Sequence, residues 1–239
     1  VISDMVGKVG KGMPEWFTYA KARASFAQVG NDMDAYQLYN TYSIGSDPNG
    51  NTTAGQGKTK YDADVRSELI TSWEAGAELK FFNNRLGVDF AWYKTNAKRQ
   101  LMNIPLNNLS GYDNMKVNAG NIQNTGIEIM LNARPIETAQ FSWDTQLNFS
   151  QNKSKIIELL PGKPGMQYAL GGSDALQVYA VAGGAYGEIW GTKYQRVEEG
   201  EFKGQLLLNE SGLPQATSDK HKIGEQQPDF LLGWTNTFN

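Results

Sequence analysis

Strict alternation of apolar and polar residues across a tight turn constrains this chain more than any other feature. Trp73-Glu74-Ala75-Gly76-Ala77-Glu78-Leu79-Lys80-Phe81 is followed by Asn83-Asn84 and then by Leu86-Gly87-Val88-Asp89-Phe90-Ala91-Trp92-Tyr93. The period of two is that of a β-strand with one apolar and one polar face. Asn tolerates a left-handed backbone, so Asn83-Asn84 suits a two-residue hairpin turn. Folding the strands over that turn sets Phe81 against Leu86, Leu79 against Val88, Ala77 against Phe90 and Ala75 against Trp92. Glu78 then meets Asp89, and Glu74 meets Tyr93. A one-residue slip would bury every acid, so the register is fixed. These runs exceed the ~5–6 residues usual in soluble sheets and reach the ~9–11 that cross a bilayer as a tilted strand.

Composition is compatible with that reading. The chain has 239 residues, 40% hydrophobic, with 26 Gly and a mean hydropathy of −0.50. No apolar run approaches the ~18–20 residues of a membrane helix, and barrels escape that test because half of each strand is polar. A net charge of −3 argues against non-specific nucleic-acid binding. Cysteine is absent, which removes disulfides and thiolate metal sites. Val1-Ile2-Ser3-Asp4 does not open a signal peptide, so an exported protein would lack its start here.

Further strands are expected at 15–29 (Ala20, Ala22, Ala24 and Phe26 opposite Lys21, Arg23 and Ser25) and at the tyrosine-rich 34–44. Others are expected at 119–134, at 140–157 and from Phe230 to Phe238. Short turns near 31, 83 and 136 alternate with long loops at 45–66, 104–118 and 158–228, as in outer-membrane barrels. Only short strands, such as Glu188–Arg196 and Gln205–Leu208, are expected in the last loop. The expected fold is all-β: an antiparallel transmembrane β-barrel segment of about seven strands, with 158–228 as a long extracellular loop. Seven strands are too few and too odd to close a bacterial barrel, so residues 1–239 read as part of a larger one.

Several segments resemble SusC/RagA-type TonB-dependent outer-membrane transporters. Glu68 to Leu79 resembles one of their wall strands, and Phe81-Phe82-Asn83-Asn84-Arg85-Leu86 resembles the following turn. Asn118 to Glu128, Trp143 to Ser154, Lys21 to Asp32 and Gln227-Pro228-Asp229-Phe230 with Gly233 are similar to further segments in the same order. The resemblance implies import of oligosaccharides or oligopeptides across the outer membrane of Bacteroidota. It also implies a plug domain that this chain lacks, TonB acting through that missing part, a SusD-like surface lipoprotein as cap, and membrane lipid around the wall. No enzyme activity and no cofactor are implied.

Candidate polar residues of the inner face are Lys21, Arg23, Glu74, Glu78, Asp89, Glu128 and Asp144; most such residues merely solvate a wall. Tyr168, Tyr179, Tyr186, Trp190 and Tyr194 in the long loop are candidate ligand or cap contacts, because aromatics stack on sugar faces. Trp73, Phe81, Phe90, Trp92, Phe141, Trp143 and Phe149 read as lipid-facing. A glycosidase pair is weighed and disfavoured: Glu74 and Glu78 lie ~13 Å apart along a strand. Glu128 and Asp144 could approach across a hairpin, but no apolar pocket is in view to raise a carboxyl pKa. His221, the sole histidine, is expected to be solvated in a polar loop. Gly55-Gln56-Gly57-Lys58-Thr59 lacks the first glycine of a phosphate loop. The competing fold is a soluble carbohydrate-binding β-sandwich; a third reading is a barrel that serves as adhesin or receptor.

Overall fold

Inter-strand pairing organises almost the whole chain. The computed structural model describes residues 2–7, 14–33, 35–36 and 38–239, without the side chains of 2–7 and of Asn108. The strands are β1 (Ile2–Gly7), β2 (Phe17–Asn31), β3 (Tyr42–Ser46), β4 (Thr52–Gln56), β5 (Thr59–Tyr61), β6 (Glu68–Phe81) and β7 (Leu86–Pro105), then β8 (Asn114–Glu137), β9 (Ser142–Glu158), β10 (Gln167–Gly172), β11 (Leu176–Val181), β12 (Tyr186–Gly191), β13 (His221–Glu225) and β14 (Leu231–Phe238). A wall runs in the order β1-β2-β6-β7-β8-β9-β14. All its neighbours are antiparallel, and β5 adds in parallel beside the start of β8.

The hairpin register is the one the alternation demands: Phe81↔Leu86, Leu79↔Val88, Ala77↔Phe90, Ala75↔Trp92, Glu78↔Asp89 and Glu74↔Tyr93. Asn83 and Asn84 both sit at positive φ, 52° and 68°, and the Arg85 amide donates to the Phe82 carbonyl at 3.1 Å. The apolar rows continue across the sheet through Ile127, Ile129 and Leu131, Leu147 and Phe149, and Leu232 and Trp234. Nothing among the described residues forms a second layer over this face. Trp73 is 55% exposed, Leu232 60% and Trp234 70%. A β-sandwich needs two inner faces packed together, and this sheet has one uncovered apolar face, so the sandwich expectation fails. From Phe81 to Trp73 the band runs roughly 27 Å along the strand, or about 20 Å of height at the usual tilt. That is close to the ~25 Å apolar band of outer-membrane barrels.

Three expectations need correction. The turn near 31 is absent: Gly30 and Asn31 stay in the ladder opposite Leu69 and Glu68, and the Asn31 amide group donates to Glu68 at 2.9 Å. Consequently β2 pairs with β6, and of the connection between them only β5 returns to the wall sheet, beside β8. The strand expected at 34–44 does not join the wall. Asp34 and Gln37 lie outside the described residues, Tyr36 sits at φ 65°, and only Tyr42–Ser46 is extended, paired with β4 in a separate hairpin. The loop expected at 104–118 shrinks to 106–113, because β7 and β8 stay paired through Pro105↔Asn114.

The expected long loop is largely folded. β10 to β13 form a four-stranded sheet, and 194–216 is tied by single bridges at Tyr194, Arg196 and Leu208 rather than by a strand at Gln205–Leu208. This sheet docks on the end of the wall. Ile156 exchanges backbone hydrogen bonds with Gly183 and Gly184 at 2.8 Å. Its fully buried side chain packs with Leu159, Ala180, Ile122 and Met102.

If the uncovered apolar face meets lipid, a charge there is far less tolerated than one on the opposite face. In the intact protein containing this chain, Ile129→Arg should destabilise the barrel by about 2–4 kcal/mol. Asn148→Arg, on the polar face, should have little effect. Loss of the heat-modifiable gel band on warming measures both; equal effects would contradict the assignment of faces.

Candidate ligand-binding wall and rim

The polar face is built by the same registers. Lys21, Glu78 and Asp89 stand in one row of ladder partners, and Ala91, Glu128 and Ser150 in another. Arg23 sits opposite Gly76 and reaches over it to Asp89 on β7, donating to the two carboxylate oxygens at 3.0 and 2.6 Å. Glu74 lies 3.9 Å from the same guanidinium. The glycine makes this possible, because a Cβ at position 76 would stand 2.7 Å from Arg23 Nε. The device recurs one strand further on. Tyr93 crosses Gly126, where a Cβ would collide with its ring, and its hydroxyl donates to Asn152 on β9 at 3.3 Å.

The expected polar residues therefore share a face, but Arg23, Glu74, Glu78, Asp89 and Asp144 are engaged in ion pairs. Glu78 pairs with Lys80 at 3.1 Å. Asp144 accepts from Arg134 Nε at 2.7 Å. Glu128 is opposite Ser150, six residues from Asp144 and thus roughly 20 Å away along the strand. No hydrolase-like carboxylate pair forms between them. A shallow groove of about 280 Å³ is left among Arg23, Asp89, Glu128 and Asn148.

The five loop aromatics separate by surroundings. Tyr168 packs against the Ile156 cluster. Tyr179 meets Trp190 edge to face, centroids 6.2 Å apart, and its hydroxyl donates to Gln177 at 2.6 Å. Trp190 donates its indole N–H to Glu188 at 3.1 Å. These three hold the loop sheet together. Tyr194, 62% exposed, borders an open concavity with Arg196, Asp219 and His221; His221 begins β13 opposite Gly191 rather than lying in a loop.

Tyr186 differs from the other four. It lines a recess of about 400 Å³ where the loop sheet overhangs the polar face, together with Gln100, Asn124, Asn152, Ser154, Gln226 and Gln227. Its floor is Ala97 and Ile122, and no charged side chain lines it. Amides and hydroxyls there supply donors and acceptors without net charge, which suits hydroxyl-rich or amide-rich ligands, and no residue of the lining is a base that could activate the Ser154 hydroxyl. The recess was not legible in the sequence, because its walls come from segments more than a hundred residues apart.

Glu188 anchors the overhang. It is buried, accepts from Lys222 Nζ at 3.0 Å and from the Ala185 amide at 3.3 Å, and a second carboxylate on β13, Glu225, takes Lys222 at 2.6 Å. Burial pushes the Glu188 carboxyl pKa up, but the bonds from Lys222, Ala185 and Trp190 together outweigh it and hold it below the ordinary value. The Lys222 ammonium is raised, chiefly by its bonds to Glu225 and Glu188.

A depressed carboxyl stabilises fully above its unfolded pKa and stops doing so as pH falls through the folded value. Protection of 192–220 against protease, measured on the intact protein, should hold at neutral pH and fail on acidification below the ordinary carboxyl value of 4.5. Glu188→Leu should open the segment at all pH values, at about 1–3 kcal/mol of local stability, since three donors lose their acceptor. On the wall, Tyr93→Phe should lower barrel stability by about 0.5–1.5 kcal/mol. Gly126→Val, which expels the ring, should lower it by about 1–3 kcal/mol. A Gly126→Val protein as stable as Tyr93→Phe would show that the crossing is not tight.

Residues 13–214 match the family described as TonB dependent receptor-like, beta-barrel. Among curated relatives, the TonB-dependent receptor SusC of Bacteroides thetaiotaomicron is 28% identical over 99% of this chain and 24% of its own length. TonB-dependent receptor P3 of Formosa agariphila is 27% identical over 90% of this chain and 24% of its own length. The chain thus spans about a quarter of these relatives. A solved structure of the RagAB peptide transporter shares the fold at TM-score 0.72 and 17% identity, over 95% of this chain and 26% of that one. With the family match extending over most of its length, this chain belongs to the TonB-dependent receptor β-barrel family of the outer membrane.

Proposed function

We propose that this chain forms part of the wall and mouth of a TonB-dependent importer that takes up oligosaccharides or oligopeptides. The apolar face meets membrane lipid, and Lys21, Arg23, Glu74, Glu78, Asp89, Glu128 and Asp144 face the lumen. The segment 158–228 lies on the extracellular side, where a SusD-like lipoprotein caps it. TonB acts through other parts of the protein. Family membership supports the importer reading, as do the names of relatives: one is a SusC and another fold neighbour is a peptide transporter.

One observation carries the ligand side of the reading. The uncharged recess at Tyr186 opens where the loop sheet overhangs the polar face, a position any solute entering along that face would pass. Its mixed amides and hydroxyls fit sugar hydroxyls and peptide backbone alike, and Tyr186, 44% exposed, offers an aromatic platform. The Arg23–Asp89 and Tyr93–Asn152 crossings keep the wall below rigid, so gating falls to parts other than this sheet.

Calorimetric titration of the intact receptor with neutral oligosaccharides and, separately, with oligopeptides tests this. One class should bind, and Tyr186→Ala should weaken it about tenfold, equivalent to ~1.4 kcal/mol, while leaving the heat-modifiable band unchanged. Undiminished binding by Tyr186→Ala would remove the recess from the ligand path. Binding of neither class would remove the importer reading for these ligands.

A further inference from the structure

The apolar face changes character along a single row of the wall. Below that row the ladder reads Ala75–Trp92–Ile127; above it, Trp73 is followed across the sheet by Lys94, Thr125 and Lys153. The next row reads Thr71, Asn96, Gln123 and Lys155, and the one after it carries Lys98 opposite Asn121. Four lysines thus project from the same face as the apolar band, directly beyond its edge. They lie on the side of the wall that carries the long connections 32–67 and 159–230. Lys94 and Lys153 are two strands apart, roughly 10 Å, and Lys153 and Lys155 two residues apart, roughly 7 Å.

Their charge is not absorbed by the protein. Carboxylates neutralise the lysines and arginines of the polar face and turns: Asp89 takes Arg23, Glu78 takes Lys80 and Asp144 takes Arg134. Among the described residues, no carboxylate pairs with Lys94, Lys98, Lys153 or Lys155 within 4.0 Å. The acids nearest in the fold are engaged elsewhere or set apart. Glu225 is taken by Lys222. Asp229 and Glu225 border a cleft of about 530 Å³ beside Lys153 and Lys155 without pairing with either. Glu158 is opposite Asn121 past a register break. Lys98, Lys153 and Lys155 are exposed.

We infer that Lys94, Lys98, Lys153 and Lys155 form a docking patch for the phosphate groups of an anionic lipid in the leaflet on the long-loop side. The inference rests on the reading of the apolar face as the lipid face. An ammonium placed just beyond an apolar band lies at headgroup depth, where its alkyl stem stays against the apolar rows while its charge meets lipid phosphate. Four lysines spread over ~16 Å of the ladder match a headgroup bearing more than one phosphate. Trp92, one row below Lys94, and Trp73, directly opposite Lys94, mark the same interface. The lipid acyl chains would lie along the Phe90–Ile129 rows beneath.

The test uses the intact receptor in phosphatidylcholine vesicles, with and without a bis-phosphorylated glycolipid, and native mass spectrometry to count retained glycolipid. The wild type should retain it, and the variant carrying Lys→Ser at 94, 98, 153 and 155 should retain about tenfold less. A charge-matched variant with Lys→Ser at 58, 60, 163 and 203 should match the wild type. Equal retention by both variants overturns the patch. Displacement of the glycolipid by inorganic phosphate alone also overturns it, since that marks a free-anion site. A second measurement uses only the wild type: amine acetylation at the four lysines should fall several-fold when the glycolipid is present. Unchanged reactivity there overturns the proposal even if a variant fails to fold. The lipid-face reading fails separately, through the Ile129→Arg comparison.

Discussion

Everything in this structure depends on the antiparallel ladder that joins β2, β6, β7, β8, β9 and β14 side to side. A sheet whose apolar face is left to hydrocarbon has no water to satisfy stray amides there, so each N–H and C=O within the band must find a neighbouring strand. Side-chain burial contributes little in this chain. The buried cluster is confined to the end of the wall, around Ile156, Leu159 and Ala180. The fold is therefore specified by register, and register is specified by which face each residue can tolerate.

The same constraint explains the glycines at 76 and 126. On the polar face, long side chains can add cross-strand bonds only if the strand between them is locally flat. Arg23 over Gly76 and Tyr93 over Gly126 each tie strands two apart. A ladder secures nearest neighbours; these crossings secure next-nearest neighbours and resist shear of the sheet. They also consume Arg23, Asp89 and the Tyr93 hydroxyl, leaving fewer groups free for a passing solute. On the proposed reading, ligand contact falls to the recess above, where Tyr186 and the Gln226 amide tie no strands together.

How far the sequence could be read follows from the same physics. Within the apolar band, alternation sets partner, face and turn for residues 73–92, because any slip places Glu74, Glu78 or Asp89 on the wrong side. Beyond the band both faces are polar, and the pattern loses its meaning. This is why the pairing of 100–105 with 114–119 was hidden, and why Gly30-Asn31 read as a turn. Tyr36, Tyr39 and Tyr42 are strand-favouring residues spaced three apart, so they assign no face and do not mark a wall strand. In the rim sheet the strands are short and bend at Gly171, Gly172 and Gly187, so their period never builds up. Of the five tyrosines and tryptophans singled out there, only the fold distinguishes Tyr186, at the recess, from Tyr168, Tyr179 and Trp190, which pack.

Charge placement separates the two faces as clearly as hydropathy does. On the polar face opposite charges are interleaved, and Arg23, Lys80 and Arg134 each find a carboxylate in contact. Above the band on the apolar face, the ammonium groups of Lys94, Lys98, Lys153 and Lys155 stand in rows with Thr125, Gln123 and Asn121. A wall that only needed solubility beyond the band would be served by both signs, mixed as on the other face. Single-sign rows at headgroup depth are the arrangement that an anionic leaflet would complete. The two faces thus differ in kind: one neutralises itself from within, and the other is arranged to be neutralised from outside.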